Sequence, residues 1–485
     1  MKRIAIVGGG IAGLSAAYQY AQQNKTGTQV DFTLFEATSR LGGIVETERR
    51  DGFVMECGPD SWVTEKPWAR DLAEELGLGD QIIPSNDIWR RTYLAPEAGA
   101  RSRTLSALPD GMRMMVPTNW AAMLNSPLLS WQAKLAYLRE PKRAEELKAT
   151  ALANAAHDVS VRDFICHHFG AEVADTLAAP LLAGVFGGDI TTLSARAVIP
   201  AFVDLEREHG SLIFGLQEKL RQKKSASAIF TTLRNGLGGL INEMEKRIAP
   251  ACIRKNTAVH ALERDGERWR VRTSGAGAEE LFDEILLATP AHVTGLLLAP
   301  LDEKIPALLP QEASSAIVIA LAFAPEQARK MRIPRGFGFL VPQGQRRMNE
   351  GDTFETTAER ALLACTFVDQ KFPNRVPEGG VLLRAFFGGA EAPALLPESD
   401  AALTRLAMHS VGRVLGALPE AKFTVVRRWP RSLPQYAVGH LERMAELEQR
   451  VATMSGLQLI GNAYAGVGLP DLIRAGRLAA GRMNC

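Results

Sequence analysis

Apolar residues fall along this chain in patterns that change from one region to the next. At the N-terminus the unbroken run Ile4-Ala5-Ile6-Val7 predicts a short strand buried on both faces. It meets Gly8-x-Gly10-x-x-Gly13, and Leu14 to Gln22 then predict a helix. A second run, Asp31-Phe32-Thr33-Leu34-Phe35, predicts the next strand and ends at Glu36. Strand, glycine turn, helix and strand in that order predict the opening of a parallel α/β sheet.

In the middle of the chain the period lengthens. Residues 118 to 182 are rich in Ala, Leu and Trp at helical spacing, and the charged run Arg139 to Lys148 lies within them. Trp120, Met123, Leu124, Leu128, Trp131, Leu135 and Leu138 predict one apolar helix face. Two uses of that face stay open: packing into the core of a helical subdomain, or contact with a membrane interface. Further on, "NTAVHALERDGERWRVRT" predicts a hairpin about Asp265-Gly266, and "EILLATPAHV" a strand ending at a Thr-Pro. "SAIVIALAF", "ALLACTFV" and "VLLRAFFGG" predict an antiparallel sheet flooring a chamber. Near the C-terminus Leu457 to Ile460 predict one more strand. Pro470 then stands in the first turn of an Ala-rich helix.

The glycine turn carries the first chemistry. Gly8 permits the tight turn, Gly10 lets backbone approach a pyrophosphate, and Gly13 lets helix and strand pack closely. The N–H groups that open the helix, through Gly9, Ile11 and Ala12, are suited to an anion. Glu36 lies 23 residues beyond Gly13, placed to accept from a ribose 2′-OH. The same carboxylate repels a 2′-phosphate, so the pattern favours a dinucleotide containing adenosine and disfavours NADP.

Composition narrows the class. At 485 residues the chain predicts two or three domains. With 46% hydrophobic and 23% charged residues it has an ordinary globular composition. Lys and Arg number 56 against 54 Asp and Glu, and a net charge of +2 gives no support to nucleic-acid binding. Cys57, Cys166, Cys252, Cys365 and Cys485 are scattered without a C-x-x-C, which predicts a reducing compartment and neither disulfides nor zinc. His167-His168 are adjacent and point apart on a helix, so no metal is expected. Met1-Lys2-Arg3 lead straight into the first strand without a secretory signal, and no apolar run reaches the roughly 20 residues of a spanning helix. A cytoplasmic protein is expected, with peripheral contact at the inner face of the cell membrane as an option.

Arg40-Leu41-Gly42-Gly43 resembles the R-x-G-G element of amine-oxidase-like flavoproteins, in which the glycines lie against the FAD diphosphate and the Arg adds charge. In "ECGPDSW" the turn Gly58-Pro59, with Asp60 and Ser61, resembles the one beside the flavin in those proteins. Gly466-Val467-Gly468-Leu469 opens the last helix, whose N-terminus is suited to the flavin N1/C2=O edge. With "LLAGVFGGDITTLSARAVIPAF", "EHGSLIFGL", "GFGFLVP", "KFPNR" and "GNAYAGVGLPD", the chain resembles the protoporphyrinogen/coproporphyrinogen oxidases of haem biosynthesis nearly end to end.

The resemblance implies an α/β fold: an FAD-binding Rossmann-like domain of the amine-oxidase/p-hydroxybenzoate-hydroxylase type, an α+β substrate domain and a helical subdomain. It assigns 1–85, 230–296 and 425–485 to FAD; 86–117, 200–229 and 297–424 to substrate; and 118–199 to the helical, membrane-associating part. It implies oxidation of a porphyrinogen by hydride transfer to flavin N5, with dioxygen as reoxidant and hydrogen peroxide as product. No side-chain nucleophile or dedicated base is expected.

The resemblance places Arg91 against a propionate, with Arg90 beside it as a competing position. Leu340 and Phe386 match walls of the macrocycle pocket, Gly184 leaves room for the ring, and Thr366 stands where a Leu wall is usual. Lys66 matches a lysine of the coproporphyrinogen-using branch. Val259, Ala37 and Trp429 join the FAD contacts. Monomer or homodimer, with handover of product to a ferrochelatase, completes the expectation. The alternatives are another FAD amine oxidase or carotenoid desaturase, for which Trp429 and Tyr464 could mimic an aromatic pair, and a non-catalytic flavin-fold binding protein.

Overall fold

The computed structural model describes residues 2–27, 29–96, 104–222, 228–274, 279–342 and 361–482. Cys485 and the stretches 97–103, 223–227, 275–278 and 343–360 of the expected domains lie outside the described residues.

A five-stranded parallel sheet runs in the order Ile253–Arg254, Asp31–Phe35, Arg3–Val7, Glu284–Leu287, Leu457–Leu459. Its strands come from both ends and the middle of the chain, as the separated apolar runs predict. The first helix, Ile11–Lys25, begins three residues before its expected start, because Gly10 caps it directly. It packs along the last helix, Leu469–Arg482. That approach is close enough that a Cβ at Gly476 would overlap the Ala12 carbonyl. Ile4, Ile6, Leu14, Leu34, Leu286 and Ile473 share the core beneath. The predicted hairpin forms from Val259–Asp265 and Arg268–Thr273, with Gly266 at φ +64°.

The second sheet has seven strands, ordered Phe423–Pro434, Ala313–Phe323, Val381–Phe387, Leu362–Phe367, Gly338–Leu340, Thr92–Leu94, Ser106–Ala107. All neighbours are antiparallel except Gly338–Leu340 with Thr92–Leu94. One face, carrying Ile317, Ile319, Phe339, Cys365 and Phe387, packs on the helix Asp400–Leu415 through Leu403, Ala407 and Val411. Strand alternation turns Leu340, Ala364 and Phe386 to the other face.

The helical region departs from the single face expected across Trp120 to Leu138. The chain forms two short helices, Trp120–Asn125 and Trp131–Arg139, capped by Asn119 and Ser130. Pro127 lies between them and interrupts the period. Met123 therefore turns into the core, while Trp131 (69%), Leu135 (43%) and Leu138 (41%) stay exposed. His168 is buried between Glu140 at 3.1 Å and Glu206 at 3.2 Å, and His167 is exposed. Among the described residues no helix is long and apolar enough to cross a membrane, and no group of three or more His, Cys, Asp or Glu could hold a metal.

Candidate active site

The glycine turn is built around two demands. At Gly13 any side chain would overlap the Gly8 carbonyl, so strand and helix can meet only over a glycine. Around Gly10, in contrast, a Cβ would meet nothing within 4 Å among the described residues. The first intrahelical bond of this end runs from Leu14 N–H to the Gly10 carbonyl at 2.9 Å, so the N–H groups of Ile11, Ala12 and Gly13 precede the ladder. A diphosphate fits this open, donor-lined space.

Glu36 stands at the side of the turn, just past its strand. One oxygen accepts from the Gly9 N–H at 2.8 Å; the other accepts from the Thr38 N–H and hydroxyl at 2.8 and 2.7 Å. The Thr257 N–H bonds the Glu36 carbonyl, which brings Val259 to the same end of the sheet. Ala37 follows at the rim. Gly42 pairs with the turn through its N–H to the Gly9 carbonyl at 2.8 Å, and a Cβ at Gly43 would lie 3.3 Å from the Gly10 Cα. Arg40 bonds the Leu41, Gly43 and Val45 carbonyls and packs against the Trp429 ring. The R-x-G-G element thus lies directly on the glycine turn.

The turn Gly58 to Ser61 is held from the second sheet. The Trp429 indole donates to the Cys57 carbonyl at 2.6 Å, and Arg384 donates to the Gly58 carbonyl. Asp60 receives Lys371 at 2.9 and 3.0 Å, Arg384 at 3.1 Å and the Ser61 hydroxyl at 2.7 Å. Burial by itself would push the Asp60 carboxyl up, but the two cations outweigh it and hold it well below the usual carboxylate range.

Register gathers the expected substrate residues. Leu340 pairs with Ala364, Ala364 with Phe386, Thr366 with Arg384, and Ala316 with Trp429. Leu340, Thr366, Phe386, Arg384 and Trp429 therefore share the face away from Asp400–Leu415. On the covered face Phe339 and Phe387 are fully buried, whereas Leu340, Thr366 and Phe386 are only half-buried. Gly184, on the helix Ala179–Phe186, faces this floor: a Cβ there would lie 3.4 Å from Leu340 Cδ2.

Arg91 is not gathered with them. It precedes the strand Thr92–Leu94 and pairs with Asp110 at 3.7 Å, its side chain 57% exposed. Arg90 pairs with Asp87 at 4.0 Å and is less exposed, at 30%. Lys66 pairs with Asp471, whose Cβ lies beside Gly466. Val467 and Leu469 lead into the helix from there. Trp429 packs around Met55 and Phe423, and Tyr464 around Trp269 and Leu457, so the two rings belong to separate clusters.

Sequence reasoning passed over Arg384, Lys371 and Asp471. An Arg inside the apolar strand "VLLRAFFGG" was a visible signal, because a buried charge needs a partner.

Residues 11–484 match the family of flavin-containing amine oxidoreductases. This chain belongs to that family. Its cofactor is FAD, in agreement with the donor-lined turn, Glu36 and the R-x-G-G contact. The family member is 31% identical to the coproporphyrinogen III oxidase of Bacillus subtilis (strain 168), covering 99% of this chain and 97% of that one. It is 28% identical to the coproporphyrinogen III oxidase of Staphylococcus aureus (strain NCTC 8325 / PS 47), covering 99% and 98%. A crystal structure from Exiguobacterium sp. 255-15, assigned as a protoporphyrinogen oxidase, superposes with a TM-score of 0.79 at 30% identity, covering 100% and 98%.

Proposed function

We propose that this flavoprotein oxidises a porphyrinogen, coproporphyrinogen III or protoporphyrinogen IX, to the porphyrin in haem biosynthesis. The observation that carries the reading is the half-buried sheet face of Leu340, Thr366 and Phe386, opposed by Gly184, in a chain alike to coproporphyrinogen III oxidases over its whole length. When bound, FAD supplies the two-electron acceptor. The chain's own task is to bind and orient. Glu36 holds the ribose, and the N–H groups after Gly10 take the diphosphate. Leu340 and Phe386 flank an apolar macrocycle and keep water from it, while the missing side chain at Gly184 leaves it space. Arg91 and Lys66 are the partners for propionates in this reading, Arg91 held by the exposed Asp110 and Lys66 by the part-buried Asp471, which a substrate carboxylate would replace.

Dioxygen as reoxidant, with peroxide as product, belongs to the same reading, as do the three-part division of the chain and handover to a ferrochelatase. Peripheral contact with the inner membrane face is supported by Trp131, Leu135 and Leu138, which are exposed at helical spacing with Arg139 and Lys142 following. The test is anaerobic mixing of the FAD-loaded protein with each porphyrinogen. Flavin absorbance should bleach, and porphyrin fluorescence should follow once dioxygen is admitted to reoxidise the flavin for the remaining two-electron steps. Flavin that stays oxidised with both substrates overturns the reading.

A further inference from the structure

Beneath the Gly58–Ser61 turn lies a buried ionic cluster whose charges do not cancel among the described residues. Two neighbouring clusters do cancel. Arg375 pairs with Glu56 at 3.0 Å, and Arg40 and Arg427 share Glu46 and Glu48. Asp60, however, faces both Lys371 and Arg384, one carboxylate against two cations. Arg384 is 1% exposed, and among the described residues its Nε has no hydrogen-bond partner. Its guanidinium carbon sits 4.9 Å from the Phe386 ring centroid. Asp369, two residues before Lys371, is turned to the Leu382 N–H at 3.2 Å. The Cys57 and Cys365 thiols beside this cluster are pushed up by burial and stay neutral.

We propose that Arg384, fixed by Asp60 and supported by Lys371, keeps an unbalanced positive charge under the Gly58–Ser61 turn and thereby favours the reduced flavin over the oxidised one. The inference rests on the reading that this turn flanks the flavin ring. A reduced flavin gains negative charge, and a buried cation screened little by water acts on that charge without touching it. Arg384 is a positioning residue. It holds the turn through the Gly58 carbonyl, and its place is set by strand register and by the Phe386 ring. Asp60 acts oppositely, as the counter-ion that tempers the charge.

The charge assignment gives two variants opposite signs, which a merely structural role does not. The measurement is the midpoint potential of the bound flavin, by photoreduction of the full-length holoprotein against a reference dye, at one pH. Arg384→Met should weaken binding of reduced relative to oxidised FAD at least tenfold, a fall of about 30 mV for a two-electron couple. Arg384→Lys keeps the charge and should stay within threefold of the parent. Asp60→Asn should move the potential upward. An unchanged potential in Arg384→Met, or a fall in Asp60→Asn, overturns the proposal. Should Arg384→Met lose its flavin, Asp60→Asn and Arg384→Lys decide alone: a rise in the first with parent-like behaviour in the second supports it, and any other pair of results overturns it. These potentials need no porphyrinogen. A parent protein that no porphyrinogen reduces defeats the substrate reading and leaves this test intact.

Discussion

Lys66 grips Asp471 through both carboxylate oxygens, at 2.6 and 2.7 Å, and so ties the turn after Trp62–Val63 to the last helix. Those two segments come from opposite ends of the chain.

The pair is exposed enough that its net worth to stability is about 1 kcal/mol or less. It can therefore exchange Asp471 for a substrate carboxylate at little cost. Coproporphyrinogen has four carboxylates and protoporphyrinogen two. Lys66→Ala is expected to lower kcat/KM for coproporphyrinogen more than for protoporphyrinogen, with both still turned over. Steady-state kinetics with the two substrates decide it: an equal loss leaves Lys66 without a part in discrimination.

Glu36→Ala is expected to weaken FAD by at least tenfold. A hydrogen bond to a charged acceptor contributes about 1.5–3 kcal/mol, and this carboxylate also braces the Gly9 N–H. Titration of the apoprotein with FAD, followed by flavin fluorescence, checks the loss. Unchanged affinity removes Glu36 from the cofactor site.

The cofactor end of the site was legible because its physics is local. Gly8 to Gly13 and Glu36 act within one strand-turn-helix-strand unit, and their spacing carries the geometry. The sheet floor was legible only in part. Apolar runs announced the strands, but which face Leu340 and Phe386 share depends on pairing between strands far apart in sequence. Trp120 to Leu138 misled because a periodicity count takes no account of Pro127. The Asp60 cluster was invisible for a third reason: its members, Lys371 and Arg384, meet Asp60 only through tertiary folding. Even so, an Arg within an apolar strand marks a charge that must find a partner.

The arginine that meets the substrate is decided by comparing neighbours. Arg91→Ala is expected to raise KM by roughly tenfold through loss of a charged hydrogen bond, with a lower kcat if the ring then settles in the wrong pose. Arg90→Ala serves as the control, since Arg90 is the less exposed of the two and is held towards Asp87. A larger KM effect from Arg90→Ala moves the propionate contact by one residue and leaves the sheet floor unchanged.

Asp369 offers a test of burial against charge. Desolvation pushes its carboxyl up to about 6, against 3.8 in the open chain, and the Leu382 N–H only partly opposes that shift. A carboxyl with a raised folded-state pKa stays protonated in the native protein while the unfolded chain has already released its proton. The contribution of Asp369 to native stability is therefore full below about pH 4, declines between about pH 4 and 6, and is flat above. Asn keeps an oxygen for the Leu382 N–H and has no proton to lose, so Asp369→Asn should escape the decline. Relative to the parent, the variant is expected to gain up to about 3 kcal/mol on going from pH 4 to pH 8. Its additional buried N–H donors lower the whole curve by a constant and do not alter its slope. Urea unfolding of the holoprotein at the two pH values gives the difference directly. A parent-minus-variant difference that is the same at both would mean that Asp369 titrates as an ordinary carboxylate and that burial does not govern it.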